Sequence, residues 1–131
     1  MRIAPHRITE LGTDEIFVFG SNEAGIHGKG AAKFAKRFGA KMGENGLQGK
    51  TYGISTKDHQ IKTLSLRRIK EHVENFIRFA KEHPDLKFLV TAIGCGLASY
   101  EPEDIAPMFK EATKIENIYL PKSFLDLLNV K

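Results

Sequence analysis

"EIFVFGSNEAGIHGKGAAKFAKRFG", residues 15–39, contains the change of rhythm that decides the fold. An apolar run ends abruptly at Gly20, and a polar loop punctuated by Gly25, Gly28 and Gly30 follows. Ala31, Phe34, Ala35 and Phe38 then recur at helical spacing as far as Gly39, a suitable C-cap. β-branched and aromatic residues that stop at a glycine read as a buried strand. The stretch is therefore a strand over 15–20, a loop, and a helix over 28–39.

The same alternation continues along the chain. "KTYGIST" (50–56) predicts a second strand. Leu66, Ile69, Val73, Phe76, Ile77 and Ala80 form one apolar stripe opposite charged residues, which predicts a helix. Ser65 is its N-cap and His83-Pro84 closes it. "KFLVTAIG" (87–94) is nearly all apolar, as expected of a strand covered on both faces. Pro102 opens another helix with Ile105, Phe109 and Ala112 inward, which Pro107 should shorten or distort. "NIYLP" (117–121) predicts a last strand, and "SFLDLLNV" a short helix. Strands alternating with helices imply an α/β domain with a largely parallel sheet and helices on both faces.

The 131 residues suit a single domain over 1–131. At 41% hydrophobic and 27% charged, the chain reads as a soluble globular protein. No apolar run approaches the roughly 18 residues of a membrane span. "MRIAPHRITE" lacks an apolar signal core, so a cytoplasmic location is expected. Cys95 stands alone, which rules out an intramolecular disulfide and a cysteine zinc cluster. The five histidines are too scattered for a metal-ligand pattern, and no cofactor is called for. A net charge of +4 attracts phosphate in general. Lys33, Lys36, Arg37, Lys41, Arg67, Arg68 and Lys70 are spread along the chain, which favours solvated helix faces over a nucleic-acid footprint.

Ligands of parallel α/β sheets bind outside the strands' carboxyl ends, where both glycine-rich loops fall. Glycines let backbone N–H groups approach an anion, and a helix start near residue 29 adds its positive dipole end. "GIHGKGAA" is neither the nucleoside-triphosphatase phosphate loop nor a dinucleotide fingerprint. Spacing alone leaves it open between phosphate cradle and structural turn. The second loop, within "IGCGLASYEPEDI" (93–105), also lies between a strand and a helix. Together the loops could clamp a diphosphate, with Tyr100 stacking or hydrogen-bonding on a sugar. Asn22 offers an amide that can both donate and accept hydrogen bonds. His27 either touches phosphate or packs over its loop. Cys95 reads as a small residue in a tight loop rather than a nucleophile.

These motifs resemble the macro domain family, whose members bind ADP-ribose in a three-layer α/β/α fold. "FGSNEAGIHGKGAAKFAKRFG" looks like the family's first ligand loop with its following helix, and Asn22 matches the asparagine facing the distal ribose. "IGCGLASYEPEDIAPMF" is similar to the second ligand loop in the branch that contains the terminal ADP-ribose–glutamate hydrolase. "YGISTKD" resembles that branch's segment with a reactive lysine, which falls on Lys57. The resemblance runs in order from about Glu15 to Leu120. The candidate ligand-binding residues are Gly20, Ser21, Asn22, His27, Gly28, Gly30 and Ala31, with Gly94, Cys95, Gly96, Leu97, Ala98 and Tyr100.

Two positions depart from the family pattern. Arg7 stands where many macro domains carry an adenine-reading aspartate, which leaves adenine selectivity open. Ala98 stands where the hydrolase branch has its catalytic aspartate. Asp58, Glu101 and Asp104 are candidate replacements, although each also reads as an ordinary turn or helix-start carboxylate. Three functions follow as expectations: a binder of ADP-ribose or a related nucleotide diphosphate, an ADP-ribosyl ester hydrolase with Lys57 as nucleophile, or a nucleic-acid or poly-ADP-ribose module.

Overall fold

The computed structural model describes residues 3–5, 8, 10–23, 35, 38–39, 46–95 and 100–128. Its centre is β1 (Glu15–Asn22), flanked by β3 (Thr51–Lys57) and β4 (Lys87–Val90), both parallel to it. β5 (Ile118–Tyr119) extends the parallel sheet beyond β4, and β2 (Gly46–Gln48) pairs antiparallel with β3 at the opposite edge. The order is β2-β3-β1-β4-β5. The expected α/β class with a mostly parallel sheet is what the chain adopts.

Successive residues of a strand face opposite sides, and β1 is apolar on both. Ile16 and Val18 join Ile54, Phe88 and Val90 on one face. They pack there against Ile69, Val73, Phe76 and Ile77 of helix α1 (Leu66–Lys81). Ile105, Phe109, Phe124 and Leu125 complete that layer from α2 (Pro102–Ile105), the 3₁₀ turns after it, and α3 (Lys122–Leu127). Phe17, Phe19 and Leu89 face the other way, towards Ile8 and the helical Ala35, with Leu11 and Phe38 at the margin. Apart from Ala35, Phe38 and Gly39, the helix expected over 28–39 lies outside the described residues.

The element boundaries differ from the expectations for identifiable reasons. β4 stops at Val90 rather than at residue 94. Thr91 spends both its backbone N–H and its hydroxyl on the Val18 carbonyl, at 3.1 and 2.8 Å, and the chain turns away. The helix from Pro102 converts to 3₁₀ turns at Ala106–Phe109 and Glu111–Lys114, because Pro107 has no N–H to continue an α-helical ladder. Ile105, Phe109 and Ala112 nevertheless point inward. The predicted strand 117–121 contracts to β5, after which Leu120 bridges to Ile3. β2 was not foreseen. It is three residues long, between Gly46 and Gly49 at positive φ, too short to show a period. Among the described residues, no helix is long and apolar enough to cross a membrane.

α1 begins where the Ser65 side chain accepts from the Arg68 N–H. Its end is tied to the sheet by Asn117, whose Nδ2 donates to the Ala80 and His83 carbonyls at 2.9 and 3.0 Å. Ala80 O and His83 O also accept the His83 and Leu86 N–H groups at 3.1 Å, so removing the amide takes one of two bonds from each, at a cost of about 1–2 kcal/mol. Asn117→Ala should therefore lower the urea midpoint with an unchanged m-value. Asn117→Asp should be worse, because its carboxylate faces both carbonyls and the negative end of the helix dipole.

Candidate functional site

The carboxyl ends of β1, β3 and the turn after β4 meet at Gly20. A Cβ built there would lie 3.7 Å from the Gly94 nitrogen, the Ile93 Cβ and the Thr56 Oγ1 alike. The two strands and the start of the second loop thus share one point. Thr56 Oγ1 also donates to the Ser21 carbonyl at 3.2 Å. The register then slips between Ser21 and Asn22, so that Ser21 opposes Ser55 while Asn22 opposes Lys57. Such irregularities re-aim a side chain at a strand end.

This edge is polar although it is buried. Of the six buried polar residues among those described, Ser21, Asn22, Ser55 and Thr56 lie here. Buried polar groups are costly without partners, so four at one sheet edge mark a place where hydrogen bonding matters. The Glu23 N–H donates to the Lys57 carbonyl at 2.8 Å, which ties the two chain exits together.

The second loop is pinned at both ends. Tyr100 donates its N–H to the Gly94 carbonyl at 2.8 Å and its hydroxyl to the Leu64 carbonyl at 2.7 Å. Leu64 N–H in turn donates to the Thr56 carbonyl at 2.9 Å. The Tyr100 hydroxyl has thus committed its proton to the backbone and can offer a ligand only an acceptor. Gly94 has φ +76, and a Cβ there would sit 2.9 Å from the buried Ile105 Cδ1. Cys95 follows with its thiol donating to the Ile93 carbonyl. Burial first, then the charges of Glu101, Asp104 and Glu103, push its pKa up to about 11, so the thiol is protonated at neutral pH.

Two of the three carboxylates considered as replacement acids are committed elsewhere. Asp58 Oδ1 accepts from the Gln60 and Lys62 N–H groups at 2.8 and 3.0 Å. These bonds, that of Lys62 first, lower its pKa. They also shape a tight loop in which Ile61 takes φ 62. Asp104 accepts from the Glu101 N–H at 3.1 Å at the start of α2, and Glu101 is exposed. Among the described residues, no group of three or more metal-ligating side chains is arranged to hold an ion.

Sequence reasoning missed Glu23. Its carboxylate meets Arg68 Nη2 at 2.8 Å and His72 Nε2 at 3.2 Å, both on α1, while His59 Nδ1 stands 3.9 Å away. The four-residue spacing of Arg68 and His72 was a visible sign of a shared helix face. Their partner, 45 and 49 residues distant, was not. Of the expected site residues, Gly20, Ser21, Asn22, Lys57, Gly94, Cys95 and Tyr100 are described and gather at this edge. His27, Gly28, Gly30, Ala31, Gly96, Leu97 and Ala98, with Arg7, lie outside the described residues.

Two predictions follow from this geometry. Gly94→Ala should cost about 2–3 kcal/mol through the positive φ and the clash. In a double-mutant cycle, Ile105→Val should cost less in the Gly94→Ala background than in the parent, because removing Cδ1 relieves part of the strain. Cys95 should be alkylated by iodoacetamide at neutral pH about a hundredfold more slowly than an ordinary thiol. The rate should still be climbing at pH 10, and denaturant should abolish the protection.

No protein-family model matches the chain, and no curated protein does. Solved structures do match. A protein of unknown function from Bacteroides thetaiotaomicron superposes with a TM-score of 0.61 at 16% identity, covering 91% of this chain and 94% of that one. Thermosipho africanus DarTG, solved in complex with ADP-ribose, gives 0.60 at 22% identity over 83% of this chain and 39% of that one. The macrodomain of Mycobacterium tuberculosis DarG gives 0.59 at 20% identity, over 83% and 90%. The chain has the fold of a macrodomain.

Proposed function

We propose that residues 1–131 form a single macro-type domain that binds ADP-ribose or a related nucleotide diphosphate at the edge where β1, β3 and the turn after β4 converge. The carrying observation is the buried polar strand end at Ser21 and Asn22, next to Gly20, where a built Cβ would lie 3.7 Å from the Gly94 nitrogen, in a macrodomain fold. In this reading Asn22 holds the distal ribose. The loops 20–31 and 94–100 clamp the diphosphate and the distal ribose, since glycine-rich backbone N–H groups suit that anion. The ADP-ribose complex of DarTG, which shares this fold over 39% of its chain, supports this choice of ligand. The domain works in the cytoplasm, in keeping with its single cysteine.

A second reading adds chemistry at the same site, favoured by the register that sets Lys57 opposite Asn22. Lys57 Nζ would attack the anomeric carbon of an ADP-ribosyl ester, the carboxylate would leave, and water would release the sugar from the lysine. Calorimetric titration with ADP-ribose should show saturable heat well below about 1 mM. Asn22→Ala should weaken binding at least about tenfold. No heat from folded protein at that concentration overturns the reading. An affinity that collapses steeply with salt points instead to a nucleic-acid module. Lys57→Ala should keep binding while losing turnover of an ADP-ribosylated glutamyl peptide. Equal turnover removes Lys57 from the mechanism.

A further inference from the structure

The geometry points to Glu23 as the positioning residue of this site, an inference that rests on the nucleotide-binding reading above. Glu23 directly follows Asn22, and its own N–H makes the bond to the Lys57 carbonyl beyond the register slip. Whatever fixes Glu23 therefore fixes the backbone from which Asn22 and Lys57 project. Its carboxylate is fixed from α1, one turn apart, by Arg68 Nη2 at 2.8 Å and His72 Nε2 at 3.2 Å. His59, on the loop after β3, faces the other oxygen at 3.9 Å. One side chain thus joins the exit of β1 and the loop after β3 to the helix covering the sheet.

Stability alone does not account for the arrangement. The Arg68 side chain is 52% exposed and is also approached by Glu71 at 3.8 Å, and ion pairs so open to water contribute little. The Glu23 side chain, by contrast, is only 16% exposed, so its charge needs partners. The return on such a clamp is orientation. It holds the strand exit in one geometry before a ligand arrives, so less ordering is left to binding. Asp58 and Asp104 cannot do this, because both are occupied within their own turns.

The test compares the parent with Glu23→Ala, Arg68→Ala and the double variant, by ADP-ribose calorimetry and by amide hydrogen exchange. Glu23→Ala should weaken binding about tenfold, and the double variant should bind no worse than Glu23→Ala. The main-chain amide at position 23 should exchange at least about tenfold faster in Glu23→Ala than in the parent, while Phe88 and Val90 in β4 keep their protection. A purely structural role would speed exchange across the sheet instead, and that outcome overturns the proposal. Unchanged affinity, unchanged Glu23 protection, or losses that add in the double variant also overturn it. If the parent takes up no ADP-ribose, the ligand reading falls while the clamp is still decided by exchange. Faster exchange confined to Glu23 then supports it, and retained protection refutes it.

Discussion

β1 is bonded along both edges, but not for the same length. Its register with β4 runs from Glu15 to Val18, while its register with β3 runs on from Phe17 to Asn22. Beyond Val18 the β4 side has been released, because Thr91 closes that ladder with two bonds to the Val18 carbonyl. From Phe19 onward β1 keeps only its β3 neighbour, and the chain after Val90 crosses its end instead of running beside it. That asymmetry shapes the edge at Gly20. It brings the Gly94 backbone across to Gly20 and leaves Ser21 and Asn22 buried but not sealed inside the apolar core.

The close approach also explains where glycine is needed. Gly94 combines a left-handed backbone with a neighbour, Ile105, that occupies the volume a Cβ would need. Ile105 belongs to α2, so the second loop is shaped by the helix that follows as much as by the strand that precedes it. Tyr100 completes the arrangement by bonding Gly94 on one side and Leu64 on the other. Leu64 is bonded to Thr56, so the ends of β3 and the second loop are braced against each other through main-chain groups. A brace made of backbone carbonyls and one hydroxyl is tolerant of side-chain variation elsewhere in the loop.

Much of this fold was legible in the sequence, for a physical reason. β1 and β4 are covered on both faces, so they appear as continuous apolar runs. α1 is covered on one, so its stripe from Ile69 to Ala80 appears at helical spacing. Pro107 announced its own effect because a missing N–H acts locally. The gathering of Gly20, Asn22, Lys57 and Gly94 at one edge was also legible, since parallel strands put their carboxyl ends together. What stayed hidden depends on contacts distant in sequence. The Glu23 carboxylate meets Arg68 and His72 only because α1 packs over the end of β1, and nothing near residue 23 signals it. The role of the Tyr100 hydroxyl was equally unreadable, since its partner is a carbonyl 36 residues earlier.

The charges around the edge are sorted, and the sorting bears on how an anion would sit. On the second-loop side Glu101, Glu103 and Asp104 act together on Cys95 and help to raise its pKa, a negative field. On the β3 side Lys62 and His59 act on Asp58 in the opposite sense. Arg68 and His72 stand beyond them on α1, partly neutralised by Glu23. A diphosphate placed against the second loop would meet the acidic side chains unless backbone N–H groups alone faced it. Displaced towards β3, it would meet Lys57 and the cationic turn. Glu23 lies on that cationic side, where its negative charge offsets Arg68. In the nucleotide-binding reading, that offset would lessen the pull of Arg68 on an anion held at Asn22. The same carboxylate that orients the strand exit would then also limit how far an anionic ligand can stray from it.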